Sequence, residues 1–168
     1  MSQLKVNSII PVSGVPSSGG DAFGGGIIQI VYQDTTSQVS ESSGNFVDSG
    51  VTATITPTSS SNKILVVASM QWMILREATE TSGRFKLLRG STAIATYTGC
   101  VHIEAAVTSQ NRIIGKGGYT IQHIDSPATT SATTYKVQFG TYHTGNSAEM
   151  RISNDSTPSC IALMEVSG

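Results

Sequence analysis

The chain has 168 residues, enough for one domain and too few for two full ones. Asp, Glu, Lys and Arg supply 12% of it, against about 25% in an average soluble domain, and the net charge is −1. There is no basic block, so the electrostatic footprint of a nucleic-acid binder is missing. The longest apolar run is too short to span a bilayer, and no charged n-region with an apolar core opens the chain, so neither membrane insertion nor a secretion signal is expected. In place of charge the chain carries 24 Ser and 20 Thr. A hydroxyl-rich, charge-poor surface suits β-structure, and it suits a protein partly hidden inside an assembly.

The first twelve residues, MSQLKVNSIIPV, read as a short apolar arm: Leu4, Val6 and Ser8 point one way in an extended chain, Lys5, Asn7 and Ile9 the other. Pro11 bars it from a central-strand position. Residues 13–26 contain seven Gly or Pro among fourteen, a flexible linker. From Ile27 the pattern is that of strands. IIQIVYQ is rich in β-branched residues. VTATITP alternates, with Val51, Ala53 and Ile55 on one face and Thr52, Thr54 and Thr56 on the other.

After the TPTSSS brake comes the longest apolar stretch, Ile64–Leu75, whose paired valines and flanking turns favour a long central strand over a helix. REATETSG reads as a turn. RFKLLRG and STAIATYTG form a hairpin, and CVHIEAAV is a separate strand. TSQNRIIGKGG reads as a connection whose glycines make a turn. YTIQHID, YKVQFGTYH, AEMRIS and CIALMEV complete about nine strands, the last apolar on both faces and therefore central in its sheet. The expected class is an all-β, antiparallel sandwich of jelly-roll type.

Little in this chain carries chemistry. His102 shares a strand face with Glu104, and His123 with Asp125, but no tight ligand motif occurs, so no metal site and no cofactor are expected. His143 has only Glu149 as an acidic neighbour in sequence. The nucleophile pattern G-x-S-x-G is absent, and the glycine clusters at 24–26 and 115–118 do not fit a phosphate loop. The acids are scattered, without the paired carboxylates of a glycosidase, so no catalytic residue is expected. Trp72 reads as core, and Cys100 and Cys160 as reduced, buried thiols. Asn154-Asp155-Ser156 is a chance match to a glycosylation acceptor. Tyr97, Tyr119, Tyr135 and Tyr142 either line a sugar-binding surface or are ordinary strand residues.

The stretches LKVNSIIPVSG, GGIIQIVYQ, ITPTSSSNKILVVAS, FKLLRGSTAI and CIALMEV resemble short fibre proteins of tailed bacteriophages, especially phages of marine bacteria. The resemblance covers most of the chain, and its motifs are structural. It implies a virion protein: residues 1–12 an anchoring arm (Leu4, Lys5, Val6, Asn7, Ile9, Ile10, Pro11), residues 13–26 a joint, and residues 27–168 a homotrimeric β-sandwich head. The arm would bind another virion protein of the tail, collar or capsid, and the head would meet a host-surface glycan or protein. Two other readings stay open: a capsid decoration or head-fibre protein, and a free carbohydrate-binding module.

Overall fold

The computed structural model describes residues 26–104 and 112–168. The arm residues and nearly all of the linker lie outside this range, as does the end of the CVHIEAAV segment.

The described residues form ten strands and one 3-10 turn: β1 (Ile27–Thr35), β2 (Val39–Glu41), β3 (Val47–Ile55), β4 (Lys63–Arg76), β5 (Glu80–Arg89), β6 (Thr92–Glu104), β7 (Ile113–Asp125), β8 (Thr133–Thr141), β9 (Glu149–Ile152) and β10 (Ser159–Val166), with the turn at Asn154–Ser156. All pairings are antiparallel. One sheet runs β1-β10-β4, with β7 on the free side of β4; β9 and β2 extend β10 and β1 in line. The other runs β3-β8-β5-β6. Successive strands mostly cross between the sheets, the arrangement of a double-sheet jelly roll. We call the two the β4 sheet and the β5 sheet.

The Ile64–Leu75 stretch is the central strand expected of it. β7 pairs with β4 from Ile64 to Arg76; β10 takes the first half of the other edge and β9 the second. Its inward residues Ile64, Val66, Ala68 and Met70 are fully buried. They meet Ile161 and Leu163 of β10 and, from the β5 sheet, Phe85, Leu87, Val137 and Phe139. The alternation of β3 holds: Val51, Ala53 and Ile55 are buried, while Thr52 and Thr54 face out. β10 lies between β1 and β4, as two apolar faces require.

Serine hydroxyls bridge the break between β9 and β10. The Ser153 N–H donates to the Gln71 carbonyl at 2.9 Å, and the Gln71 N–H donates to Ser159 Oγ at 2.9 Å. The two serine oxygens are themselves 3.0 Å apart. Buried ladder groups that lose a strand partner must find another, and here hydroxyls supply it.

Three expectations are corrected. CVHIEAAV does not start a new strand: β6 runs unbroken from Thr92 to Glu104 and absorbs Thr98–Cys100 as a bulge, with Gly99 at φ 66°. REATETSG is not wholly a turn, since β5 begins at Glu80. The glycines at 115–118 do not turn the chain; they lie inside β7 opposite Gln71–Ile74.

Buried acids pin the ends of the sandwich. Asp125 of β7 accepts from Arg89 Nη1 of β5 at 2.9 Å and from the Tyr135 hydroxyl of β8 at 2.6 Å, tying one sheet to the other. Burial, with Asp125 beside it, pushes the Tyr135 phenol well above its ordinary value. Glu165 of β10 is fully buried and accepts from Asn62 Nδ2 at 2.6 Å, the Thr58 N–H at 2.7 Å and the Thr58 hydroxyl at 2.8 Å. Burial alone would raise its pKa; bonds from Asn62, Gln29 and Thr58 outweigh that and hold it at about 2. Glu41 does the same for the other end, accepting from the Ser43 hydroxyl at 2.6 Å and the Thr141 N–H at 2.9 Å.

Candidate assembly surface and a cleft on the opposite face

The two outer faces of the sandwich differ in kind. Residues directly opposite one another in antiparallel strands share a face, with Cβ atoms about 4.5–5.5 Å apart. On the β4 sheet, Ile30 lies opposite Met164, Met164 opposite Leu65, and Leu65 opposite Ile124. This apolar row crosses four strands, a width of about 15 Å at the usual strand spacing. The next row is Tyr32, Ala162, Val67 and Gln122. Ile30 is 60% exposed, Tyr32 56% and Ile124 44%. Ile27 and Ile28, at the start of β1, are exposed alongside them.

The β5 sheet presents polar rows instead. Asp48, Gln138, Lys86 and Thr96 follow one another across β3, β8, β5 and β6. Asp48 is bonded at 2.8 Å to both Lys136 and Gln138. Burial works against its ionisation, but those bonds and the Lys136 charge hold its carboxyl below the usual range. The one large apolar ring here, Phe46, is covered by cations: the Arg84 guanidinium 4.5 Å and the Lys86 ammonium 3.8 Å from its centroid. Water can cover the β5 sheet at no cost, whereas the β4 sheet leaves an aliphatic band in it.

The histidines and tyrosines scatter in an instructive way. Tyr135 is fully buried. Tyr119 stacks on Phe85 at 5.1 Å, with Tyr97 edge-on to it at 6.1 Å, so these two pack with the core. Only Tyr142 of the four stands out, 61% exposed. His123 faces inward across from Val66, and Asp125 beside it is held by Arg89 and Tyr135, so that pair forms no site. His143 does not find Glu149; its nearest carboxylate is Glu80, with Nε2 to Oε1 at 3.9 Å. Burial and the Arg76 charge lower the pKa of His143, against the pull of Glu80, which keeps the ring neutral at pH 7.

Glu80, Ser82, Thr98, Gly99, His102, Tyr142 and His143 together line a cleft of about 330 Å³ on the β5-sheet side. Sequence reasoning had no signal for it, because its residues come from β5, β6 and the segment that follows β8.

Trp72 packs against the core but is only half-buried, at the edge of a smaller hollow shared with Lys116, Asn154 and Asp155. Cys100 on β6 and Cys160 on β10 are free, half-buried thiols on different sheets. Asn154 is buried, which removes it as a glycan acceptor. Among the described residues no group of three His, Cys, Asp or Glu side chains converges as a metal site would require.

No family model matches the sequence, and no curated protein does. Solved structures match loosely. The infectious bursal disease virus Gx strain structure aligns at 12% identity over 84% of this chain and 38% of that one, with a TM-score of 0.33. The VP2 subviral particle of infectious bursal disease virus gives 11%, 83% and 38%, with a TM-score of 0.34. Dimeric latent PorU from Porphyromonas gingivalis gives 8%, 86% and 14%, with a TM-score of 0.32. The chain thus spans less than two fifths of the length of each. These superpositions are too loose to bear on function.

Proposed function

We propose that this chain is a bacteriophage virion structural protein, a fibre-like appendage whose β-sandwich heads associate as a homotrimer through the outer face of the β4 sheet. The observation that carries the reading is the band Ile30–Met164–Leu65–Ile124 with Tyr32 beside it. Fully burying a wholly exposed aliphatic side chain of this size gains about 1.5–3 kcal/mol, and Ile30 and Ile124, 60% and 44% exposed, have about half of that still to gain. A band of several such residues on each copy sets a substantial gain against the cost of association. The hydroxyl-rich, charge-poor composition fits the same picture. So does the resemblance of ITPTSSSNKILVVAS and CIALMEV to phage fibre proteins, since both strands contribute to the band.

In this reading, Leu4, Lys5, Val6, Asn7, Ile9, Ile10 and Pro11 attach the head to a neighbouring virion protein of tail, collar or capsid, and residues 13–26 are the joint. The β5 sheet, polar and turned away from the trimer contact, is the side left to meet the host.

Deleting residues 1–12 tests the attachment. The shortened chain should fold and associate as before, yet be missing from purified particles when supplied in place of the full chain. Normal incorporation of the shortened chain overturns the role of the arm.

A further inference from the structure

We propose that the cleft lined by Tyr142, Ser82 and His102 binds a neutral saccharide. The inference rests on the reading above for its biological setting, since the cleft opens on the polar face of the β5 sheet. Its chemistry stands on the residues that line the cleft.

Ser82 lies directly opposite His102 on β6, and its carbonyl accepts from the Tyr142 N–H at 2.9 Å on the β8 side. A small residue therefore sits between two ring-bearing ones, which makes a floor with two walls. Glu80 and His143 stand on the same rim, and the Thr98–Gly99 bulge of β6 forms another part of it. Gly99 has φ 66°, a conformation that costs glycine nothing and side-chain residues more, so the bulge is specified by its residue type. A volume of about 330 Å³ falls at the low end of the range for small-molecule sites.

The lining suits a sugar ring. Tyr142 offers an exposed aromatic face, and His143 lies edge-on to it with centroids 5.5 Å apart, which restricts its ring before any ligand arrives. A tyrosine has few torsions to lose, so contact through it carries a low entropic cost. The apolar C–H face of a pyranose matches that surface. Glu80 Oε1 and His143 Nε2 are 3.9 Å apart, too far for a hydrogen bond and near enough to be bridged by one hydroxyl. A sugar hydroxyl both donates and accepts: it can donate to the carboxylate and accept from an imidazole N–H. Ser82 and Thr98 add hydroxyls to the same cleft. With a carboxylate on the rim and His143 neutral, an acidic sugar meets repulsion there and a neutral one does not.

Two-dimensional amide NMR of the full-length chain, titrated with maltose, lactose, chitobiose, mannobiose and the acidic sialyllactose, tests this. At least one neutral disaccharide should shift the signals of Ser82, His102 and Tyr142 in a saturable way, with sialyllactose leaving them unmoved. Tyr142→Ala and, separately, His102→Ala should each weaken that binding tenfold or more, while Tyr142→Phe retains it. Silence toward every neutral sugar, shifts centred away from this cleft, or preference for sialyllactose overturns the proposal. Sedimentation of the same samples separates the two claims. A trimer that binds no sugar refutes the cleft alone; a monomer that binds through Tyr142 refutes the assembly reading and leaves the cleft standing.

Discussion

Gly117 of β7 lies directly across from Trp72 of β4, and a Cβ at Gly117 would come within 2.7 Å of the indole ring. The indole occupies the volume a side chain would take. A second glycine two residues earlier, Gly115, clears space for Ile103 of β6 in the same way. Gly117→Val should therefore destabilise the fold by about 1–3 kcal/mol, the usual cost of overpacking. Gly118→Ala, where the nearest neighbour is the flexible end of Gln71 at 3.3 Å, should cost less. Urea unfolding of the two variants checks the order.

Glu165 makes stability depend on acid. Its folded pKa of about 2 lies below the ordinary glutamate value of about 4.3. The unfolded chain therefore binds the proton first, and the contribution of Glu165 is complete above about pH 4.3 and is lost as pH falls toward 2. Glu165→Gln should lower stability at pH 7 by about 1–3 kcal/mol, because an amide cannot accept all the bonds from Asn62, Gln29 and Thr58. It should also flatten the loss between pH 4.3 and 2. Denaturant midpoints measured across that window show both effects.

Tyr135→Phe removes the hydroxyl bonded to Asp125 at 2.6 Å and leaves the carboxylate with Arg89. A buried acceptor deprived of one partner costs about 1–3 kcal/mol. Thermal unfolding should show the loss, and a variant as stable as the parent would mean that Arg89 alone satisfies Asp125.

Much of this architecture was legible in the sequence. Ile64–Leu75 announced a central strand through its nearly continuous apolar run, Val51–Ile55 through strict alternation, and Cys160–Val166 through two apolar faces. Gly115 and Gly117 misled because glycine signals a turn when its role is clearance, set at Gly115 by Ile103 of β6 and at Gly117 by Trp72, more than forty positions earlier in the chain. Gly99 misled in the opposite direction: a glycine that looks like a strand boundary marks a bulge within one strand. The band on the β4 sheet and the cleft on the β5 sheet share one reason for staying hidden. Each is assembled by register, and register is fixed by pairing across strands far apart in sequence. Ile30 gives no hint that Met164, Leu65 and Ile124 will stand in line with it.

The proposed assembly surface makes a contrast between faces. Ile30→Lys combined with Ile124→Lys places like charges at both ends of the apolar band without touching the core. Thr52→Lys on β3 adds charge to the outer face of the β5 sheet. Circular dichroism should show an unchanged β fold in both, and only the first should lose its association.

Sedimentation equilibrium of the full chain at micromolar concentration goes to the centre of the matter. The proposed homotrimer predicts a species of three 17.6-kDa chains that dissociates to single chains in the Ile30→Lys/Ile124→Lys variant. A parent protein that sediments as a single 17.6-kDa chain, or a double variant that remains associated, contradicts it.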